Sequence, residues 1–306
     1  MEYLRLGASL YVPSVRADLT AIANGRRFAS LRSVIFCTED SLVEADLPTA
    51  MKNLEAMLRA LEPSDSLLRF IRVRNPQVLE TCLSMNGIEK LDGFVLPKIT
   101  RQNIPKYWSL FVPEDPYSVM ITLETPDAFD NLEMIKLRNL LLEDRYRQRI
   151  LSIRIGGNDL LNLLSIRRTA LQTIYTTPLS HTIPMLVSVF KPYGFNLTGP
   201  VFEALHSLET LRQEVSMDIQ YGLFGKTTIH PDHISVIEEN YRVSFEDVEM
   251  AEAVLSEHSP AVFAMHGYMC EPTTHVNWAR LIIERARLFG MITGGADSMW
   301  RRRNCA

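Results

Sequence analysis

Two carboxylates stand where α/β proteins place their chemistry. Glu124 follows the apolar run Val119–Leu123, and Asp159 follows Leu151–Ile155, 35 positions further on. Oxygen donors from one or two carboxylates, with the remaining positions left to water and substrate, are the usual set for Mg2+. Each residue also has a structural reading. Glu124 can pair with an arginine inside a barrel, and Asp159, in Gly156-Gly-Asn-Asp159, can cap the helix that continues through Leu160-Leu-Asn-Leu-Leu164. Arg72 and Arg74, two apart on one strand, point to the same side. Such a fixed guanidinium can meet a carboxylate or a developing enolate oxygen, and pairing with Glu39 or Glu124 is compatible with that role. Further strand ends carry Thr38-Glu39-Asp40-Ser41, Pro97-Lys98, Gly157-Asn158 and Thr228-Ile-His230-Pro231. His230 either orients substrate or closes the barrel through a backbone hydrogen bond. Cys37, with no accompanying Cys/His motif, reads as a small buried hydrophobe. Neither G-x-S-x-G, P-loop, H-E-x-x-H nor dinucleotide fingerprint occurs, since Gly156-Gly157 lacks the third glycine.

The elements that must position these residues follow from the hydrophobic pattern. Eight β-rich apolar runs alternate with helix-sized gaps: Ala8–Val12, Ser33–Cys37, Leu68–Val73, Gly93–Leu96, Val119–Leu123, Leu151–Ile155, Met185–Phe190 and Gly225–Ile229. Several lack alternation, as strands buried on both faces should. The arrangement predicts an α/β fold, a TIM (β/α)8 barrel, with catalytic groups at the carboxyl ends of its strands. Between the second and third strands, Leu47, Ala50, Met51, Leu54, Met57, Leu58 and Leu61 recur at helical spacing and predict a barrel-covering helix. Beyond the eighth strand, helices are predicted over Pro231–Arg242, Asp247–Leu255 and Val276–Leu288, with Gly290 as a C-cap. The expected division is a barrel over 1–243 and a C-terminal helical extension or lid over 244–306.

Composition sets the outer limits. The chain has 306 residues, 46% hydrophobic and 22% charged, with a formal charge of −4. Basic residues are dispersed, so no nucleic-acid footprint is expected. Arg301–Arg303 is the one dense basic run and reads as a solvated tail. The four cysteines, Cys37, Cys82, Cys270 and Cys305, are too far apart for a zinc site and argue against a disulfide framework. No signal-peptide pattern begins the sequence and no apolar run reaches 18 residues, so the expectation is a cytoplasmic protein with no membrane partner.

Five segments carry a family resemblance. Ser9-Leu-Tyr-Val-Pro13 with Arg16 is similar to L-F-V-P-G-x-R, Thr38-Glu-Asp-Ser-Leu42 to L-E-D-S-V, and Ile71-Arg-Val-Arg-Asn-Pro76 to V-R-V-N-P. Asp92-Gly-Phe-Val-Leu-Pro-Lys98 is similar to D-G-I-V-L-P-K, and Gly225-Lys-Thr-Thr-Ile-His-Pro231 to G-K-x-x-I-H-P. Together they resemble the HpcH/HpaI aldolase and citrate lyase β-subunit superfamily, over about 270 residues in order. The variant motifs R-I-G-G-N-D and M-H-G-Y-M-C-E-P look most like the citrate-lyase-like proteins of bacterial tellurite-resistance gene clusters.

The resemblance implies a Mg2+-dependent carbon-carbon bond lyase, acting on an oxo-acid or a hydroxy-acyl substrate with coenzyme A as carrier. It implies Glu124 and Asp159 as metal ligands, and Arg72, Glu39 and Glu271 as catalytic residues. Glu271 stands where relatives carry an acid on a lid from a neighbouring subunit, so a homo-oligomer, trimer or hexamer, is implied. Arg16, Arg74, Lys98, Gly157, Asn158 and His230 are the expected substrate or cofactor contacts, and Arg26 and Arg27 could join Arg16 at the phosphates of coenzyme A. The chain departs from the family pattern at Ser14, Cys37, Arg74, Asn158 and His266. A biosynthetic condensing enzyme using the same enolate chemistry and a non-catalytic or regulatory barrel binding a small acid or a protein partner are the alternative expectations.

Overall fold

The computed structural model describes residues 1–28 and 30–292; the Arg301–Arg303 run and Cys305 lie outside the described residues. The chain divides into two compact units, Glu2–Ile237 and Glu238–Ala306.

The first unit is a nearly closed parallel barrel. Its strands are β1 (Ser9–Pro13), β2 (Ser33–Cys37), β3 (Leu68–Arg72), β4 (Gly93–Leu96), β5 (Ser118–Leu123), β6 (Ile150–Ile155), β7 (Leu197–Thr198) and β8 (Thr227–Thr228). They pair in the order β7-β6-β5-β4-β3-β2-β1-β8. The remaining seam, between β7 and β8, is crossed by backbone bonds from Phe224 N–H to the Leu197 carbonyl and from Thr227 N–H to the Gly199 carbonyl, both 3.2 Å. Inward positions alternate along the strands, so Ile35, Phe70, Val95 and Met120, joined by Leu6 from the turn before β1, form one buried cluster. The polar groups Arg72, Glu124 and Arg154 lie one or two steps further along β3, β5 and β6. That placement puts an apolar plug low in the barrel and charge above it.

The helix predicted over 47–61 forms as Leu47–Arg59, with Pro48 in its first turn and Ala50, Leu54, Met57 and Leu58 buried. The seventh strand is a correction. Met185–Phe190 is the end of a helix, Leu179–Phe190, whose buried residues Leu179, Thr182, Ile183, Leu186, Val189 and Phe190 fall at helical intervals. An apolar run of six residues does not distinguish strand from buried helix, and the true β7 is only two residues long. Asp159 does not cap the helix Gly157–Leu163, because it sits in the first turn and Gly156 holds the N-cap position.

Short strands at the seam need other support, and a buried charge network supplies it. Lys226 Nζ donates to Glu214 Oε1 at 2.9 Å, Asp218 Oδ2 at 2.7 Å and the Pro200 carbonyl at 2.9 Å. Arg168 holds the other oxygen of Glu214 at 2.5 Å and also reaches the Val201 carbonyl. Tyr175 donates to Asp218 Oδ1 at 2.6 Å. Two cations thus meet two anions, all buried, and tie the segment after β7 to the helix Leu208–Gln220.

The second unit packs helix Phe245–Leu255 against helix Pro272–Phe289 around Val248, Ala251, Val254, Ile282 and Ala286. The segment between them forms an antiparallel hairpin, Phe263–Met265 with Tyr268–Cys270. Its two-residue turn, His266-Gly267, has φ of 49° and 82°, as a primed hairpin turn requires.

Replacing Lys226 by Met leaves Glu214 and Asp218 buried without their shared cation. The expected loss is about 3 kcal/mol of unfolding free energy, read from urea denaturation. An unchanged midpoint would remove the network from the account of barrel closure.

Candidate active site at the carboxyl end of the barrel

Five strand ends, those of β2 to β6, bring acidic residues and their counter-charges to one cleft. Arg72, the last residue of β3, projects from the barrel wall, and its Nη2 lies 2.6 Å from Glu39 Oε2, 3.0 Å from Asp40 Oδ2 and 3.1 Å from Glu124 Oε1. Lys98, just past β4, takes the other side of the same acids: its Nζ pairs with Glu39, with Asp40 at 3.1 Å and with Asp159 at 3.9 Å. Lys98 is one of few non-glycine residues in left-handed backbone, with φ of 50°. In that conformation its N–H donates to Glu124 Oε1 at 2.9 Å. The cleft has a volume of about 430 Å3 and is lined by Tyr11, Asp40, Arg72, Thr122, Glu124, Arg154, Gly157, Asn158 and Asp159 among others.

Glycine is required beside Glu124. A Cβ on Gly156 would run into both Cβ and the carboxylate of Glu124. On Gly157 it would lie 2.7 Å from Ile174 and 3.0 Å from Pro200. The pair therefore keeps the space around the acids open where Asn158 and Asp159 begin their helix.

Crowded carboxylates change one another's proton affinity. Burial, reinforced by the Asp159 charge, pushes Glu124 up to about 7 even though Arg72 pulls it down. Asp159 is raised by burial and by Asp40, against Lys98 and Arg72. Glu39 and Asp40 share a hydrogen bond and part ways: burial raises Glu39, whereas Asp40 stays low because the bond to Glu39, Arg72 and Lys98 outweigh its own burial.

The expected contacts separate into two groups. Lys98 meets the acids of the cleft, and Gly157 and Asn158 line it. Arg74, Arg16 and His230 are engaged elsewhere. Arg74 donates to the carbonyls of Thr38, Glu39 and Leu42 at 3.1, 3.2 and 2.7 Å and so holds the loop that carries Glu39 and Asp40. Arg16 forms a two-pronged pair with Asp18 at 2.8 Å. The His230 ring accepts the Asp232 N–H at 3.3 Å, at the start of the next helix. Glu271 belongs to the second unit, where it precedes helix Pro272–Phe289 and its carboxylate accepts from Thr274 at 3.3 Å. Cys37 is buried and borders the cleft. Sequence reasoning names Asp40 only within the strand end Thr38-Glu39-Asp40-Ser41 and does not single out Tyr11, Thr122 or Arg154 as site residues. Of these last three, only Arg154 carries a visible signal, a guanidinium inside an otherwise apolar strand.

Comparison with known proteins places this architecture. The family model described as C-C bond lyase of the TIM-barrel fold matches residues 1–291. The chain belongs to that family. This C–C bond lyase family member is 23% identical over 292 residues to a (3S)-malyl-CoA thioesterase of Cereibacter sphaeroides, covering 90% of this chain and 93% of the relative. In fold it is similar to the CitE protein of Mycobacterium tuberculosis, solved in complex with magnesium, acetoacetate and coenzyme A. That match has a TM-score of 0.68 at 21% identity and covers 93% of this chain and 100% of the other. A citrate lyase from Burkholderia xenovorans LB400 superimposes with a TM-score of 0.70 at 13% identity, covering 95% of both chains.

Arg72→Met would leave three carboxylates without their guanidinium. The carboxyls then hold protons more tightly folded than unfolded, so the penalty is small at pH 5 and grows as pH rises towards 8. The expected loss is about 3 kcal/mol at pH 8 and clearly less at pH 5, measured by denaturant unfolding at both values. An equal loss at both would refute the charge account.

Proposed function

We propose that this protein is a Mg2+-dependent carbon-carbon bond lyase acting on an oxo-acid or hydroxy-acyl substrate, with coenzyme A as the thioester carrier. The observation that carries the reading is the arrival of Glu124 and Asp159, from adjacent strand ends, in one cleft beside Arg72.

The donor set fits the metal. Both groups are carboxylates, Gly156 leaves room at Glu124, and both acids are raised first by burial and then by a neighbouring carboxylate, Asp159 for Glu124 and Asp40 for Asp159, a cost that a divalent cation would offset. The CitE structure with magnesium and coenzyme A supports the same choice. When bound, Mg2+ supplies Lewis-acid polarisation of the oxo-acid carbonyl. The other roles belong to the chain. Arg72 is fixed by Glu39, Asp40 and Glu124, and its buried Nε–H has no partner among the described residues. From its fixed place on the cleft lining, the guanidinium supplies positive charge to the oxygen on which a thioester enolate gathers charge in a retro-aldol or retro-Claisen step. Glu39 positions both Arg72 and Lys98. Gly157 and Asn158 border the space for the acid. Glu271 is the acid or base in this reading, reaching a neighbouring subunit's site in a homo-oligomer. Arg16, Arg26 and Arg27 are exposed and ion-paired to Asp18 and Glu62, pairs that the phosphates of coenzyme A would displace.

Enolate chemistry is reversible, so the same groups serve condensation as well as cleavage. The relative named as a malyl-CoA thioesterase favours a second reading, hydrolysis of the thioester itself.

Glu124→Gln and Asp159→Asn are each expected to weaken Mg2+ binding by at least about a hundredfold in calorimetry, with thermal unfolding retained. Unchanged affinity in both would make the ligand assignment wrong. Supplied with malyl-CoA and Mg2+, a lyase releases acetyl-CoA and glyoxylate, whereas a thioesterase releases free thiol; the products decide between the two readings.

A further inference from the structure

The floor of the cleft holds a cation that the acids above it leave alone. Arg154, on β6, is 1% exposed and borders the cleft. Arg72 and Lys98 are occupied by Glu39, Asp40, Glu124 and Asp159, but Arg154 has no carboxylate within ion-pair distance among the described residues. Its Nη2 donates to Thr227 Oγ1 at 2.5 Å, and its Nη1 lies 3.5 Å from the Met120 sulfur, a weak acceptor. The Tyr11 ring stands between the two arginines, 5.8 Å from the Arg72 guanidinium carbon and 5.4 Å from that of Arg154.

The surroundings of Arg154 add a second kind of unpaired polar atom. In the barrel register Thr122 lies directly beside it on β5 and Thr198 on β7. Both threonines are buried, and neither hydroxyl has a hydrogen-bond partner among the described residues. Thr122 also borders the cleft. A buried guanidinium without a counter-ion is costly, and so are unmade hydrogen bonds of buried hydroxyls. An anion in the cleft accepting from Arg154 and Thr122 would reduce both costs at once.

We propose that Arg154, with Thr122, forms an anion subsite at the cleft floor that binds a second acid group of the substrate, a carboxylate or a phosphate. The inference rests on the reading of the cleft as the lyase site, with Glu124 and Asp159 taking the metal and the oxo- or hydroxy-acid head. Arg154 then selects acids that carry a further charge at their other end over those that end in a methyl group.

Three probes share a 2-hydroxy acid head and differ at the tail: (S)-2-hydroxybutyrate ends in a methyl, malate in a carboxylate and 3-phosphoglycerate in a phosphate. Their affinities are to be measured by calorimetry in saturating Mg2+, for the wild type, Arg154→Met and Arg154→Lys, after titrating each protein with Mg2+ alone. The wild type should bind malate or 3-phosphoglycerate at least about tenfold more tightly than 2-hydroxybutyrate, and whichever tail wins identifies the acid group. Arg154→Met should lose that advantage while keeping its affinity for Mg2+ and for 2-hydroxybutyrate, and Arg154→Lys should keep part of it. Equal affinities for the three probes in the wild type would overturn the subsite, as would an advantage that survives in Arg154→Met. If Arg154→Met fails to fold, the Lys variant and the wild-type comparison decide. Failure of Mg2+ alone to bind the wild type would instead count against the lyase reading, separately from the tail preference.

Discussion

Arg72 is the group that allows four carboxylates to share one barrel mouth. Glu39, Asp40, Glu124 and Asp159 approach from the ends of β2, β5 and β6, and three of them meet the same Nη2. Without that charge, the desolvation cost of Glu39 and Glu124 has little to oppose it. Lys98 alone cannot substitute, because it is nearly half exposed and reaches the acids from the solvent side. The cluster is thus held short of collapse, with Glu124 balanced at about 7 between burial and its guanidinium. A site in that balance responds strongly to added positive charge, which is the property that cation-dependent chemistry uses.

The barrel solves a related problem at its weakest point. β7 and β8 have two residues each, too few for the ladder alone to fix the seam. The network of Lys226, Arg168, Glu214, Asp218 and Tyr175 fills the gap with bonds to the carbonyls of Pro200 and Val201. Those carbonyls belong to the segment that also borders the cleft at Val201 and packs against Gly157 through Pro200. Closure of the fold and the shape of the site are therefore one piece of construction. The G-K-T-T-I-H-P segment is better understood by its buried lysine than by His230, which turns to its own helix.

Seven strands were legible in the sequence to within about two residues, the first six because each is a largely buried run that no helical stripe imitates, and the eighth, Gly225–Ile229, around the two-residue β8. The seventh was not. Met185–Phe190 has the composition of a strand, and only its place in a longer helical stripe separates the two. Glu124, Asp159 and Arg72 could be picked out because they end apolar runs, and the structure brings them to one cleft. What single positions could not reveal was pairing. That Lys98 binds the acids of β2, or that Arg74 serves the loop carrying them, depends on neighbours more than 30 residues away. Asp159 shows the opposite case, since the preference of Asp for helix caps is a true rule that this helix satisfies with a glycine instead.

Arg154 marks where a family pattern stops describing an individual chain. Glu39, Asp40 and Arg72 fall in segments that resemble the wider family pattern, so in the proposed reading they speak to the kind of bond handled and not to the molecule handled. Arg154 lies two residues before Gly156, inside the strand body. Placing a guanidinium there, and leaving two threonine hydroxyls beside it unmatched, lowers the stability of the empty barrel. Such an arrangement persists when something else satisfies it, and a substrate acid group is small and charged enough to do so from within the cleft. Natural proteins accept local instability at sites that bind, and the distribution of partners in this barrel follows that division. The acids at the mouth are matched by Arg72 and Lys98. The cation at the floor is left open, as recognition of one particular ligand requires.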